Sequence, residues 1–465
     1  MPNQKIDLAR LKLYLCIRQK NHQMKNILVI GAGRSASSLI KYLLDNSTKE
    51  NWNITVGDVS LDTVKQKIGN HPNARAILFD INNEQQREEE IKRADLVISM
   101  LPAFMHINVA KDCVRLKKHL ATASYVSAEM RELHEEAKAS GIVLMNEIGL
   151  DPGIDHASAM KVIDEIHHNG GELISFKSYC GGLVAPECND NPWGYKFSWN
   201  PRNVILAGQG TAQYIENGEY KYIPYNRLFT QISRVSMEGL GNFDAYANRD
   251  SLSYRKFYGI ENIPTMLRGT LRMQGYCKAW NVFAKLGLTD DTYKIEASET
   301  LTYAQFVDAF LPAGKLSIKD KLIAFMGDDM DINTLEMIEW TGVLSDTKIT
   351  LSGVSPAQIL QDLLEKKWVL QPLDKDMIIM QHQFRYRNKN AEIKNITSSL
   401  VVKGEDQTYT AMAKTVGLPL AITSKLILQG KISARGVIIP TIKEIYEPVL
   451  AELEKYGVKF EEEFH

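Results

Sequence analysis

The chain has 465 residues, 44% hydrophobic and 24% charged, with a formal net charge of −1 at pH 7. That length implies roughly two or three domains of ordinary globular composition. The near-zero charge, without a long basic block, argues against nucleic acid as a partner. No apolar stretch approaches the roughly 18 residues of a membrane span, so no membrane partner is expected either.

Residues 1–24 carry Lys5, Arg10, Lys12, Arg18 and Lys20 against a single Asp7 and contain no secretory apolar core. They read as an N-terminal extension or an upstream start, which implies a cytoplasmic location. A transit-type segment, which would imply mitochondria, is the alternative. Cys16, Cys113, Cys180, Cys188 and Cys277 are odd in number and lack paired C-x-x-C spacing. Reduced thiols and no zinc site are expected. The histidines form no H-E-x-x-H pattern, so no metal is expected.

The first 150 residues alternate strand-like and helical patterns, with strands over 26–30, 53–57, 74–79, 94–100, 119–124 and 142–147. This is the pattern of an α/β fold, a Rossmann-type doubly wound parallel sheet. Between the first strand and its helix, Gly31, Gly33, Ser35 and Ala36 form a G-x-G-x-x-A fingerprint. Gly31 permits the tight turn, Gly33 lets a pyrophosphate approach the backbone, and Ala36 lets the helix lie close on the sheet. The second strand ends in Asp58, whose carboxylate suits the ribose hydroxyls of NAD and would repel the 2′-phosphate of NADP. NAD is therefore favoured, with NADP left open. The competing reading makes Asp58 a cap for the helix starting near Leu61. Ligands of such sheets lie outside the carboxyl ends of the strands. Met100 and Leu101, before the strand-ending Pro102, and Ala123, Ser124 and Tyr125 are thus placed toward the cofactor.

From about 150 to 290, Gly, Pro, Asn and aromatic residues become frequent and strand-like runs such as 173–179 appear, an α+β pattern. Residues 300–370 read as helical, with amphipathic segments over 331–340 and 356–366. Two strand-like runs, 376–387 and 391–402, follow, and then a helical run near 442–456.

Several strings in these regions are specific. They are Ala123–Ser124–Tyr125, residues 149–156 (Gly-Leu-Asp-Pro-Gly-Ile-Asp-His), 178–187, 195–199, 248–251, 267–272 and 411–419. Their order and gaps resemble the glutamate-forming saccharopine dehydrogenases (saccharopine reductases), over about residues 25–460. The resemblance implies a Rossmann domain over 25–150 and an α+β substrate and dimerisation domain over 151–300 and 371–405. It also implies a small helical domain over 301–370 and C-terminal helices over 406–465 that return to the Rossmann domain. A homodimer follows from the same resemblance.

What the resemblance implies chemically is oxidation of saccharopine with NAD and water to glutamate and 2-aminoadipate 6-semialdehyde, or the reverse, in lysine metabolism. It places Ser124, Tyr125, Asp151, Cys180, Gly181, Phe197, Arg249, Thr270, Leu271 and Arg272 at the substrate. Saccharopine carries three carboxylates, and arginine forks bind carboxylates through two bonds. A base would help the amine lose its proton, and Asp151, Tyr125 and Cys180 are the candidates, with Asp151 first. Each has a plainer reading: Asp151 as a turn residue, Cys180 as a small buried group, Arg249 as an ion-pair partner of Asp250. Asp155 and His156 read as caps or core. A carboxynorspermidine-type dehydrogenase and a non-catalytic NAD-binding regulator are the competing functions.

Overall fold

The structure, a computed structural model, describes residues 24–207 and 209–465. The extension expected over residues 1–24, apart from the exposed Met24, lies outside the described residues, as does Cys16. The chain forms two units. One holds the described residues up to Ile154 with Val416–Ile445, and the other holds Asp155–Thr415 with Tyr446–His465.

The first unit is a parallel sheet built from β1 (Lys25–Ile30), β2 (Trp52–Asp58), β3 (Ala74–Leu78), β4 (Leu96–Ser99), β5 (His119–Thr122) and β6 (Val143–Met145). Their order is β6-β5-β4-β1-β2-β3, and a seventh strand, Gly436–Ile438, pairs in parallel with β6. Helices α1 (Ser37–Glu50), α2 (Leu61–Ile68), α3 (Glu84–Arg93) and α4 (His106–Leu116) connect the strands. β4 is buried along its whole length, which is why its sequence is an unbroken apolar run rather than an alternation. Leu28, Ile30, Val97, Val109, Leu120 and Leu144 join one apolar core. Each such buried side chain contributes about 1.5–3 kcal/mol relative to exposure. The chain reverses strand order beside β1, where β4 lies on one side and β2 on the other. That reversal opens the crevice where dinucleotides bind in doubly wound sheets.

The second unit holds a mixed sheet of nine strands. β7 (Glu172–Val184) runs through its centre. It is followed in sequence by β8 (Ala212–Glu216), β9 (Glu219–Ile223), β10 (Ser233–Met237), β11 (Gly241–Ala247), β12 (Thr265–Met273), β13 (Asp376–Arg387), β14 (Ile393–Lys403) and a ninth strand, Glu461–Phe464, antiparallel to β14. β7 pairs in parallel with β12 and antiparallel with β13. The helices between residues 303 and 367 do not make a core of their own. Phe306, Leu322, Ile338 and Leu360 share one apolar cluster with Tyr179, Phe243 and Ile379 of the sheet.

One described helix, Ala411–Leu428, is long and apolar enough to cross a membrane, and 78% of it is buried within the chain. It contains Pro419, which masks a helix in the sequence pattern.

Candidate active site

In the first unit the fingerprint turn leads from β1 into a 3-10 turn, Arg34–Ala36, and then α1. Gly31 has φ of +100°, and a Cβ there would lie 2.8 Å from the Met100 carbonyl oxygen, so only glycine fits. Its N–H donates to the Gly57 carbonyl at 2.8 Å, tying the turn to β2. Gly33 is exposed, and nothing lies within 4 Å of where its Cβ would be. No side chain caps either helical start. Open space at Gly33 beside uncapped helix N–H groups fits a dinucleotide pyrophosphate. Ser35 is half-buried on this turn, and Ala36 is buried beneath it.

Asp58 is not the cap of α2. Ser60 takes that role, accepting the Thr63 N–H at 3.3 Å. Asp58 instead braces the fingerprint: Oδ2 accepts the Ala32 N–H at 2.7 Å and Oδ1 the Ser60 N–H at 3.0 Å. Both carboxylate oxygens are already engaged by backbone, so the acid at this strand end does not by itself report a ribose contact. Lys67, whose Nζ donates to Ser37 Oγ, stands near it. Burial lowers the Lys67 pKa and the Asp58 charge works in the opposite direction.

At the carboxyl end of β4, the Met100 N–H donates to the Ile30 carbonyl at 2.8 Å, and half-buried Leu101 follows. Past β5, Ala123 is in close contact with Gly149, where an added Cβ would lie 2.9 Å from the Ala123 methyl. Tyr125 is 46% exposed, and its hydroxyl donates to Asp151 Oδ1 at 3.3 Å. Ser124 Oγ lies 2.7 Å from Nε2 of His106, a residue the sequence reading passed over. His106 is buried, its Nδ1 is 2.8 Å from Ser99 Oγ, and burial pushes its pKa down to about 4.

In the second unit, parallel pairing of β7 and β12 sets Cys180 opposite Thr270. Cys180 is buried. Gly181 must be glycine here, since a Cβ would lie 2.6 Å from the Leu271 carbonyl oxygen. Thr270 Oγ1 donates to Asn248 Oδ1 at 2.7 Å, and Leu271 is fully buried. Phe197 is buried edge-on against Tyr195 and Trp368.

Arg272 is 4% exposed. Its guanidinium lies 5.4 Å from the ring centres of Tyr195 and Tyr276 and 5.9 Å from that of Tyr246. One Nη donates to the Leu271 carbonyl at 2.9 Å, while Nε has no hydrogen-bond partner. Among the described residues no carboxylate forms an ion pair with it. Arg268, by contrast, is neutralised: it donates to Asp155 at 2.6 Å and lies 4.3 Å over Tyr254. His156 Nδ1 is 2.6 Å from the Tyr258 hydroxyl, so Asp155 and His156 belong to a buried polar core. Arg249 is exposed, and Asp250 accepts the Leu252 and Ser253 N–H groups rather than pairing with it.

Family models cover almost the whole described chain. One, described as the saccharopine dehydrogenase NADP binding domain, matches residues 27–145, and another, the saccharopine dehydrogenase C-terminal domain, matches residues 149–458. The chain belongs to the saccharopine dehydrogenase family. It is 36% identical over 448 residues to the Pyricularia oryzae saccharopine dehydrogenase named NADP(+), L-glutamate-forming, covering 94% of this chain and 98% of that protein. It is 36% identical to the mitochondrial alpha-aminoadipic semialdehyde synthase of Bos taurus, covering 94% of this chain and 47% of that protein. The solved apo structure of histidine-tagged saccharopine dehydrogenase (L-Glu forming) from Saccharomyces cerevisiae aligns with a TM-score of 0.85 and 35% identity. That alignment covers 95% of this chain and all of the yeast one. Membership makes the chain an oxidoreductase with a nicotinamide cofactor, and the family resemblance and α/β fold read from the sequence both hold.

The sequence reading missed His106, Lys67 and the tyrosines around Arg272. His106, Lys67, Tyr246 and Tyr276 stand outside the quoted strings, and Tyr195 opens the 195–199 string without any sign there of Arg272. Their roles come from side chains that only the folded sheets bring together.

Proposed function

We propose that the chain is an L-glutamate-forming saccharopine dehydrogenase. Saccharopine, oxidised cofactor and water give glutamate, 2-aminoadipate 6-semialdehyde and reduced cofactor. The observation that carries this reading is Arg272. A buried guanidinium without a counter-ion is costly unless an anion completes it, and its fork suits a carboxylate. Exposed Arg249 supplies a second cation for a tricarboxylate substrate, and Thr270, Leu271, Gly181 and Phe197 shape the wall around Arg272 and Cys180.

When bound, the cofactor supplies the hydride acceptor for oxidation of the carbon beside the secondary amine. Gly31, Gly33, Ser35 and Ala36 would hold its pyrophosphate, and Met100, Leu101 and Ala123 would line the strand ends. Asp151 is the favoured base for the amine proton, with the Tyr125 hydroxyl orienting its carboxylate. Cys180, buried mid-strand, is the weaker candidate.

For the cofactor we infer NADP rather than the NAD expected from Asp58. The matched domain and the fungal relatives are named for NADP. Asp58 is engaged with the turn backbone, Lys67 brings positive charge near it, and exposed Arg34 follows Gly33 on the fingerprint turn.

The test is turnover by the purified chain. With saccharopine and NADP⁺, glutamate and reduced cofactor are expected in equal amounts. Formation of neither product with NADP⁺ or NAD⁺ would overturn the reading.

A further inference from the structure

The carboxyl ends of β4 and β5 carry a chain of side chains that the proposed chemistry leaves unused. Ser99, the last residue of β4, is 0% exposed. Its Oγ lies 2.8 Å from His106 Nδ1, and His106 Nε2 lies 2.7 Å from Ser124 Oγ. Thr122 Oγ1 is 3.4 Å from the same Nε2 and accepts the Ser124 N–H at 3.3 Å. The Ser124 carbonyl accepts the Glu147 N–H at 3.0 Å. The backbone of Ser124 is thus held on both sides, and its hydroxyl is held by the imidazole.

We propose that His106 is a positioning residue that turns the Ser124 hydroxyl proton outward, as a donor to a carboxylate or carbonyl oxygen of the bound ligand. A buried hydroxyl proton needs an acceptor, and the imidazole is the one side chain that bonds Ser99 Oγ. Ser99 therefore donates to Nδ1. A neutral imidazole that accepts at one nitrogen donates from the other, so Nε2–H points to a lone pair of Ser124 Oγ. The Ser124 proton then has no protein acceptor among the described residues, and Ser124 is partly exposed.

The neutral form is the one burial favours, since it pushes the His106 pKa down to about 4. A proton relay is a poorer account. Its inner end is fully buried Ser99, which among the described residues bonds no side chain except the same ring, so a proton has nowhere to go. The inference rests on the proposed reading that ligand lies at the ends of β4 and β5.

Two measurements test it. In the full chain carrying ¹⁵N-histidine, with His106→Leu identifying the signal, His106 is expected to show protonated Nε2 and bare Nδ1 near neutral pH. The Nδ1–H tautomer would overturn the proposal, because Ser124 would then donate inward. In kinetics with saccharopine, His106→Leu and Ser124→Ala are each expected to lower kcat/KM about tenfold to a hundredfold. The double variant is expected to be no worse than Ser124→Ala alone. His106→Gln, which keeps an N–H donor, is expected to recover part of the loss, with the pH profile unchanged in shape. Additive losses, or loss of an ionisation from the profile, would reject positioning through Ser124. If the wild-type chain does not oxidise saccharopine, the functional reading fails while the tautomer still decides this one.

Discussion

In the first unit, the groups proposed for the cofactor's pyrophosphate are backbone N–H groups and residues chosen for being small. Gly31 cannot carry a Cβ, and Gly33 leaves its space open. In the second unit, the proposed substrate recognition falls to a long charged side chain, Arg272, buried among Tyr195, Tyr246 and Tyr276 with no carboxylate partner among the described residues. The phosphates of a dinucleotide are a constant, and fixed backbone suffices to hold them. A particular amino-acid carboxylate has to be read by a cation in a closed place, and on the proposed reading the ligand compensates that cation when it binds. The contrast predicts that damage to the first unit changes cofactor binding, and damage to the second changes substrate use.

The largest effect is expected at Arg272. Arg272→Ala is expected to lower kcat/KM for saccharopine by roughly tens to thousands of fold, since losing one partner of a buried charged pair costs about 2–5 kcal/mol. Arg272→Lys is expected to recover only part, and NADPH affinity to stay unchanged. Arg272→Met is expected to keep or raise Tm while activity is lost, because it removes a buried unpaired charge in favour of an apolar side chain. A fall in Tm and in both affinities together would make Arg272 a structural residue.

Gly33→Val is the counterpart in the first unit. Its Cβ meets nothing within 4 Å, so Tm is expected to hold while calorimetry shows NADPH affinity weakened more than tenfold. Gly31→Ala is expected to destabilise the fold instead, through its positive φ and the close Met100 carbonyl.

Asp58→Ala separates the cofactor readings. Both cofactors are expected to weaken about fivefold to thirtyfold, because the Ala32 and Ser60 N–H groups lose their acceptor. A selective loss of NAD would restore the ribose role. Arg249→Ala is expected to do less than Arg272→Ala, about tenfold or below in kcat/KM, since its side chain stays in water.

The two units share one weakness. Burial lowers His106 in the first and His382 in the second to about 4. The unfolded chain, with ordinary histidines, binds more protons below about pH 6.5, so stability falls as pH drops from there toward about 4. Thermal melts across that range are expected to lose Tm steadily, less steeply in His106→Leu.

How much of this was legible follows the same division. The strands of the first unit stood out because a sheet buried on both faces writes itself as apolar runs between helical patterns, and the fingerprint because its glycines are fixed by backbone geometry. Gly436–Ile438 did not, because it is three residues long, only partly buried, and far in sequence from the alternating strands it joins. The helix Ala411–Leu428 was hidden by Pro419 and by Gly417. A Cβ at Gly417 would lie 2.6 Å from the Leu39 backbone nitrogen. Asp58 was read from its position, which is right for ribose, while its hydrogen bonds run to the turn. Arg272 was read from a family motif. Two of the tyrosines around it, Tyr195 and Tyr246, come from segments dozens of residues away, which no local pattern records.

The most direct test of the central claim, that this chain reads a substrate by its carboxylates, compares kcat/KM for saccharopine with that for a carboxynorspermidine-type amine, each with NADP⁺. Saccharopine is expected to be preferred by about a hundredfold or more, with the preference lost in Arg272→Ala. Equal or better use of the polyamine would contradict it.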